Sequence, residues 1–291
     1  MKRILITGAN SYVGTSFENH LKQWDDRYRV DTMDMVDGSW RDSSFRGYDA
    51  VFHVAGIVHQ KNKKNDTGKA SLYDRVNRQL AVETARKAKA DGVKQFVFMS
   101  SASVYGLTAA VGQLVMITRD TPVHPVDPYG TSKAKAEEEI RALADDGFRV
   151  AIVRAPMIYG KGCKGNYTTL STLARKLPVF PMVENQRSML YIDNLSEQVR
   201  LLVDDEAEGI FWPQNREYVN TSEMVNLIAH IHGRSILLVK GFGWALKQLC
   251  WVTDMADKAF GSLCYDDALS AYPKDYCIKS FYESVAETES E

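Results

Sequence analysis

The chain has 291 residues, 45% hydrophobic and 25% charged, which is typical of a globular protein with one large domain or two unequal ones. Its formal net charge of -1 argues against a nucleic-acid-binding surface, which requires a clustered basic excess. No apolar run reaches the length of a membrane span, no signal-peptide pattern precedes the first strand, and the four cysteines lack metal-ligand spacing, so we expect a cytoplasmic protein without a metal.

The first segment predicts a strand, a turn and a helix. The strand runs from Arg3 to Thr7, and an amphipathic helix is predicted from Val13 to Gln23. A glycine-rich turn in this setting presents backbone N–H groups and a helix amino terminus to a pyrophosphate. This order therefore indicates a dinucleotide-binding unit.

The turn departs from the usual three glycines. Gly8 and Gly14 are present, but the middle position holds Ser11. A side chain there is expected to interfere with close approach of the backbone to phosphate. The alternative is a rearranged turn in which Asn10 or Ser11 binds the phosphate itself.

The second strand, Arg29 to Asp34, ends on a carboxylate. An acid at this place accepts hydrogen bonds from the adenosine ribose and repels a 2′-phosphate, so Asp34 favours NAD(H) without excluding NADP(H). Asp31 or Asp37 are alternatives for the same role.

Strands and helices alternate through the next part of the chain. This alternation predicts a parallel sheet with helices on both faces and ligands at the carboxyl ends of the strands. A strand at Leu190 to Ile192 and a helix from about Asn194 to Asp204 are expected to return to the main sheet. The other predicted elements are strands at Ala50 to Val54, Lys94 to Met99 and Phe148 to Val153, and a helix at Val76 to Ala90 that has Asn77 at its start.

A helix that begins at Pro128, after Asp127 as its cap, carries the candidate chemistry. Tyr129 and Lys133 are four residues apart and project from one helix face. A nearby ammonium favours phenolate, so we expect Lys133 to pull the pKa of Tyr129 towards neutrality. Ser101, at the end of a buried strand, is predicted to donate a hydrogen bond to the same substrate oxygen. Together these residues form a proton relay without a metal.

These motifs, in this order, resemble the extended branch of the short-chain dehydrogenase/reductase family, which modifies nucleotide-activated sugars. The resemblance covers essentially the whole chain. The matching segments are Ile4 to Gly14, Ala50 to Gly56, Asn77, Ser100 to Gly106, Tyr129 with Lys133, and Arg154 to Gly160.

The resemblance implies a Rossmann-type, doubly wound α/β fold with a smaller carboxyl-terminal substrate lobe. Residues 1–160 and about 189–212 would bind the dinucleotide, and about 161–188 and 213–291 would form the lobe. Ser101, Tyr129 and Lys133 would be catalytic. Ser103, Asn166 and Arg187 would bind a nucleotide-diphosphate sugar. The residues implied at the cofactor are Gly8, Asn10, Ser11, Tyr12, Val13, Gly14, Asp34, Ala55, Gly56, Asn77, Tyr129, Lys133 and Pro156.

Three reactions share this relay. Dehydratases of the family carry an Asp-Glu pair directly after the catalytic hydroxyl, where this chain has Ala102 and Ser103. The remaining readings are a 4-keto reductase, which must exchange its cofactor, and a 4-epimerase, which must retain it. The chain resembles bacterial capsule-sugar 4-keto reductases that act on UDP-linked 4-keto-6-deoxy sugars. A dinucleotide sensor without catalysis is a further alternative.

A late segment, 242–263, has apolar residues at helical spacing. We expect a helix packed on the substrate lobe. A homodimer contact or a helix at a membrane surface are the alternatives.

Overall fold

The computed structural model describes residues 1–58, 67–241 and 260–290. The chain divides into two compact units. Unit 1 comprises Met1–Gly106, Pro122–Ala155 and Ser196–Trp212. Unit 2 comprises Leu107–Thr121, Pro156–Leu195 and Pro213–Glu291.

The strands are numbered in chain order. They are β1 (Lys2–Thr7), β2 (Tyr28–Met33), β3 (Ala50–His53), β4 (Gln95–Ser101), β5 (Leu114–Ile117), β6 (Arg149–Ala155), β7 (Met157–Tyr159), β8 (Val179–Pro181), β9 (Met189–Tyr191), β10 (Gly209–Phe211), β11 (Leu237–Val239) and β12 (Ser262–Tyr265).

The helices follow the same convention. They are α1 (Tyr12–Leu21), α2 (Thr67–Tyr73), α3 (Leu80–Ala90), α4 (Pro128–Arg141), α5 (Asn166–Lys176), α6 (Ile192–Asp204), α7 (Thr221–Ile231), α8 (Asp267–Ser270) and α9 (Phe281–Glu289). A π-helix, Asp74–Gln79, joins α2 to α3, and short 3₁₀ helices follow α1 (Lys22–Trp24), β2 (Ser39–Arg41) and β4 (Ala102–Tyr105).

Unit 1 contains a six-stranded sheet in the order β10-β6-β4-β3-β1-β2, and each neighbouring pair is parallel. The predicted parallel α/β sheet is therefore confirmed. From β1 the sheet continues to β2 on one side and to β3 on the other, so the strand order reverses between β1 and β3. Ligands of such sheets bind beyond the carboxyl ends of the strands at this reversal.

Helices cover both faces of the sheet. Successive residues of a strand point to opposite faces, so their contacts show which helix lies on which face. Val51 of β3 packs in a buried cluster with Ala85 of α3 and Ile140 of α4. Its neighbour Phe52 instead contacts Phe17 of α1, with ring centroids 5.1 Å apart. Helices α3 and α4 therefore lie on one face and α1 on the other.

The described residues of unit 2 contain three two-stranded sheets, which pair β5 with β12, β7 with β9, and β8 with β11. The pairing of β9 corrects the expectation that Leu190 to Ile192 joins the main sheet: Leu190 pairs with Ile158 of β7. The sixth strand of the main sheet is β10 instead, which pairs with β6.

Two predicted helices, at Val76 to Ala90 and at 242–263, are not confirmed as predicted. The helix predicted to begin at Val76 is continuous with α2 and the π-helix, so Asn77 lies inside a π-helical turn rather than at a helix start. Most of the predicted segment 242–263 lies outside the described residues. Among the helices that the structure describes, none is long and apolar enough to cross a membrane.

Candidate active site

The turn after β1 is packed closely against the loop after β3. Gly8 has φ +119, and a Cβ atom there would lie 2.8 Å from the backbone nitrogen of Ala55. The N–H groups of Gly8 and Ala9 donate to the carbonyl of Met33, at 2.9 and 3.1 Å. Glycine is required at position 8 because its φ is left-handed and no side chain fits. The turn and loop thus meet at the reversal of the strand order.

Ser11 caps helix α1. Its Oγ accepts a hydrogen bond from the Gly14 N–H at 3.1 Å, and a Cβ atom at Gly14 would lie 2.6 Å from that Oγ. Serine is a favoured N-cap because it satisfies a helix N–H that otherwise lacks an intrahelical partner. Asn10, before the cap, has φ +62, while Tyr12 and Val13 begin the helix. Position 11 therefore holds a cap that already uses one N–H of the helix amino terminus.

The three acids near the end of β2 have different partners. Asp34, exposed directly after the strand, accepts a hydrogen bond from the Val36 N–H at 2.9 Å. Asp31 accepts hydrogen bonds from Arg3 and from Tyr48, at 3.3 and 2.9 Å. Asp31 is thus engaged within the sheet.

Asp37, the third acid, accepts from the backbone N–H and hydroxyl of Ser39 at 3.0 and 2.7 Å. These bonds lower the pKa of Asp37. Asp37, although also exposed, therefore fixes the start of the 3₁₀ helix Ser39–Arg41, whereas Asp34 lies exposed directly at the strand end.

Asn77 joins the loop after β3 to helix α4. It is fully buried; its Oδ1 accepts from the Ile57 N–H at 2.8 Å, and its Nδ2 donates to the Ile57 carbonyl at 3.1 Å and to Ser132 at 3.3 Å. A Cβ atom at Gly56 would lie 3.1 Å from Asn77 Oδ1 and 3.5 Å from Lys133 Nζ. Gly56 therefore brings bare backbone to a point that Asn77 and Lys133 flank.

Helix α4 begins as the sequence predicts. Asp127 Oδ1 accepts from the Gly130 N–H at 2.7 Å, and Pro128 occupies the first turn. Tyr129 and Lys133 are both buried on the face towards the sheet. Tyr129 has a side-chain hydrogen bond with Ser101, and Lys133 Nζ donates to the Met99 carbonyl at 2.8 Å. The structure therefore brings the three candidate catalytic residues together at the end of β4.

The charge states at this site differ from expectation. Burial raises the pKa of Tyr129 to about 12, although the Ser101 hydrogen bond opposes the rise. Burial also lowers the pKa of Lys133 to about 8, against the favourable charge of Glu137. The expectation that Lys133 pulls the pKa of Tyr129 towards neutrality is therefore wrong, because removal from water is the largest influence on the pKa of Tyr129 and raises it.

Two buried residues at the site were not predicted. His53, at the end of β3, contacts Thr7 Oγ1 through Nδ1 at 2.8 Å and stacks on Phe96 and Phe98. Burial and the charge of Lys133 lower its pKa to about 3, so the imidazole is neutral. Glu137 lies one helical turn beyond Lys133 and is bound to Arg154. The spacing of four from Tyr129 through Lys133 is the signal that could have identified Glu137.

The other candidate residues are distributed between the units. Ser103, in unit 1, accepts a hydrogen bond from Ser101 at 3.2 Å. In unit 2, Pro156 precedes β7 and Asn166 is the exposed first residue of α5. Arg187 donates from Nη1 to the Gly261 carbonyl at 2.8 Å, and burial lowers its pKa. Its Nε is buried without a hydrogen-bond partner among the described residues, which suits a guanidinium that receives an anion.

No group of His, Cys, Asp and Glu that could hold a metal occurs within residues 1–58, 67–241 and 260–290. The groups that meet at the end of β4 are the phenol of Tyr129, the hydroxyl of Ser101 and the ammonium of Lys133. Such a set moves a proton and stabilises an oxygen that gains negative charge.

Comparisons with known proteins identify the family of this chain. The sequence model of the NAD dependent epimerase/dehydratase family matches residues 4–212. A UDP-glucose 4-epimerase from Vibrio cholerae is 31% identical over 290 residues, covering 92% of this chain and 85% of that protein. A UDP-2-acetamido-2,6-beta-L-arabino-hexul-4-ose reductase from Pseudomonas aeruginosa is 26% identical over 296 residues, covering 94% of this chain and 69% of that protein.

A solved structure has the same fold. The UDP-glucuronic acid 4-epimerase from Bacillus cereus, in complex with NAD, superposes with a TM-score of 0.72 at 16% identity and covers 98% of this chain and 96% of its own.

Proposed function

Since the chain belongs to the NAD dependent epimerase/dehydratase family, we propose that it is an oxidoreductase acting at carbon 4 of a nucleotide-activated hexose. Its reaction is the reduction of a UDP-linked 4-keto-6-deoxy sugar, in the synthesis of a surface polysaccharide. The observation that carries the proposal is the buried group of Ser101, Tyr129 and Lys133 at the carboxyl end of β4. This group provides one proton donor and one oxygen-binding hydroxyl, which is what reduction of a single ketone requires.

The residues around the strand reversal fit a dinucleotide. The turn at Gly8 leaves no room for a side chain, a Cβ atom at Gly56 would lie only 3.1 Å from Asn77 Oδ1, and helix α1 begins shortly after this turn. Gly8, Gly14 and the amino terminus of α1 would hold the pyrophosphate, Asp34 the adenosine ribose, and Lys133 the nicotinamide ribose. Bound NADH would supply the hydride to carbon 4.

The side chains then complete the reduction. Tyr129 donates its phenolic proton to the sugar oxygen, and Ser101 donates a hydrogen bond to the same oxygen. Because burial holds the pKa of Tyr129 at about 12, the phenol is protonated before substrate arrives. Reduction needs this protonated form, whereas oxidation of a sugar hydroxyl begins with a base. The charge state of Tyr129 therefore supports reduction.

Arg187 and Asn166 are the residues that we propose for the diphosphate of the nucleotide. Arg187 offers a guanidinium whose Nε–H has no hydrogen-bond partner within the part of the chain that the structure describes, and Asn166 offers an amide at a helix amino terminus. Planar guanidinium groups suit diphosphate oxygens because they donate two parallel hydrogen bonds.

Dehydration at carbons 5 and 6 of the sugar needs an additional acid and base. Ala102 and Ser103 follow Ser101, so this reaction is not supported.

A 4-epimerase is the second candidate, because the relative of Vibrio cholerae that is 31% identical is a UDP-glucose 4-epimerase. An epimerase must retain its cofactor through both hydride transfers. Ser11 already satisfies the Gly14 N–H, so one donor of the pyrophosphate site is used without a ligand. This cap supports weaker retention of the cofactor and thus a reductase.

One assay separates the candidates. Purified protein is incubated with NADH and a UDP-4-keto-6-deoxy-N-acetylhexosamine, or with UDP-glucose alone, and sugar products are measured by mass spectrometry and chromatography while NADH absorbance is followed. We expect stoichiometric NADH consumption with the keto sugar and no UDP-galactose. Interconversion of UDP-glucose and UDP-galactose without NADH change would replace the reductase with the epimerase. Binding of NADH without turnover of any sugar would instead support a sensor.

A further inference from the structure

Three consecutive residues at the end of β4 each contact one of three residues on α4. The Met99 carbonyl accepts from Lys133, the Ser100 hydroxyl donates to Glu137, and Ser101 hydrogen-bonds with Tyr129. The three helix residues are spaced by four and lie along one buried face. The first and third contacts involve the proposed catalytic groups. The middle contact, between Ser100 and Glu137, has no part in the chemistry proposed above.

Arg154, on the neighbouring strand β6, binds Glu137 from the other side. Arg154 Nη2 donates to Glu137 Oε2 at 2.6 Å, and Arg154 Nε lies 3.1 Å from both carboxylate oxygens. Ser100 pairs with Arg154 in the β4–β6 ladder. The ion pair therefore connects α4 to β6 directly beside the end of β4.

Further contacts fix Arg154 itself. Its Nη1 donates to the hydroxyl of Tyr105 at 2.8 Å, and the same hydroxyl accepts from Trp212 Nε1 at 2.6 Å. Tyr105 belongs to the 3₁₀ helix that begins directly after Ser101, and Trp212 follows β10. The network therefore joins α4 to the carboxyl ends of three neighbouring strands, β4, β6 and β10.

A buried ion pair of this kind is a weak source of stability. Glu137 and Arg154 are 3% and 6% exposed, so both lose most of their hydration. Apolar residues of similar volume often stabilise a core as well or better. What the charged pair offers in return is a single, directional geometry, because a guanidinium fork and a carboxylate fit in few orientations.

We propose that Glu137 and Arg154 are a positioning pair that fixes the end of β4 against α4, and thereby sets the placement of Ser101 and Lys133 relative to Tyr129. Neither residue touches the substrate. Both act through Ser100, which lies between Met99 and Ser101 in the strand. Loss of the pair lets the strand end shift, and small shifts of reacting groups reduce turnover strongly.

The test uses Glu137→Gln and Ser100→Ala. Both should remain folded and bind NADH as wild type does, with about a tenfold lower kcat and an unchanged KM for the keto sugar. Ser100→Ala leaves the Glu137–Arg154 ion pair intact, so this variant tests the proposal even if Glu137→Gln does not fold. The matched control is Glu139→Gln on the same helix, because Glu139 pairs with Arg78 at the surface, away from the strand end.

A second measurement does not depend on turnover. Side-chain carbon NMR, assigned with Lys133→Met, follows the titration of Lys133. The titratable groups that interact electrostatically with Lys133 are Glu137 on its own helix and neutral His53 of β3. Because the Glu137 charge favours the ammonium, Glu137→Gln should move the Lys133 titration from about 8 to lower pH, and Glu139→Gln should not.

The two measurements keep this proposal separate from the proposed function on which its kinetic part rests. If wild type turns over no sugar, the function fails, and the titration still tests whether Glu137 lies close enough to Lys133 for the positioning claim. An unshifted Lys133 titration in Glu137→Gln would refute the claim. So would a kcat within about twofold of wild type in folded Ser100→Ala.

Discussion

The two ends of the main sheet treat buried charge differently. Near the amino ends of β1 and β2, Glu197 accepts from Arg200 at 2.6 and 2.7 Å and lies 3.0 Å from His20. Arg200 also donates to Asp204 at 2.7 Å, and Tyr28 donates to Asp204 at 2.8 Å. Each carboxylate of this amino-end cluster therefore has a cationic partner.

At the carboxyl end, apart from the Glu137–Arg154 ion pair, the buried titratable groups are incompletely matched. Lys133 donates to a carbonyl, the Nε2 of His53 is buried without a partner among the described residues, and Tyr129 has a raised pKa. Ion pairs that are complete need no ligand, whereas groups held away from their preferred charge state gain from one. From this contrast we expect the amino end to serve stability and the carboxyl end to serve the proposed binding and chemistry. Four substitutions test this division.

The largest effect is expected from Tyr129→Phe. It removes the proton donor and little contact area, so turnover of the keto sugar should fall about 10³-fold while NADH binding is retained. Burial already disfavours a charged phenolate, so the free energy of unfolding should change little. Steady-state kinetics, NADH fluorescence titration and urea unfolding measure the three quantities. Turnover within about fivefold of wild type would remove Tyr129 from the mechanism.

The opposite pattern is expected from Glu197→Gln. It leaves Arg200 buried without its full counter-charge, so the free energy of unfolding should fall by about 3 kcal/mol while turnover per folded molecule is unchanged. Burial raises the pKa of Glu197, but bonds from Arg200 and His20 outweigh it and hold the value at about 2. The wild-type stabilisation should therefore disappear as pH falls from about 4.5 to 2. Exposed Glu138→Gln is the control, with a change below about 0.5 kcal/mol.

Lys133→Met separates stability from function at one residue. Turnover should be lost, yet the protein without ligands should gain about 1 kcal/mol, because a buried ammonium is replaced by an apolar chain of similar length. The folded-state pKa of Lys133 is about 8 against an ordinary 10.5. Wild type therefore gains stability as pH rises between these values, and the advantage of the variant should be largest below pH 8 and fade towards 10.5. Urea unfolding at several pH values measures this stability advantage. A variant that is less stable than wild type at every pH would contradict the contrast between the two ends of the sheet.

Asp34→Ala should have the smallest effect and should alter specificity alone. Removal of the exposed carboxylate should weaken NADH and relieve repulsion of the 2′-phosphate, narrowing the preference for NADH over NADPH about fivefold. Dissociation constants for both cofactors decide this, with Asp37→Ala as the control. Equal binding of both cofactors by wild type would show that Asp34 does not contact the ribose.

Local patterns predicted the parts of the structure that depend on local residues. The cap at Asp127, the turn at Gly8 and the buried strands follow from residue type and spacing, and they place Ser101, Tyr129 and Lys133 correctly at one strand end.

Features that depend on distant contacts were not predictable in this way. The pKa of Tyr129 depends on how deeply the fold buries it, and local spacing showed only the nearby lysine. Strand β9 pairs with β7 rather than with the main sheet because partners, not its own residues, decide where a short apolar strand lies. The bond between Tyr105 and Trp212 joins residues 107 positions apart.

The source of the hydrogen at carbon 4 of the sugar tests the central claim most directly. NADH fully deuterated at carbon 4 of the nicotinamide is supplied in excess with a UDP-4-keto-6-deoxy-N-acetylhexosamine, and the product is analysed by mass spectrometry and proton NMR. A reductase with an exchangeable cofactor predicts one deuterium per product molecule, located at carbon 4, and an equal amount of oxidised NAD. A reduced product without deuterium, or interconversion of UDP-glucose and UDP-galactose with no consumption of NADH, would contradict it.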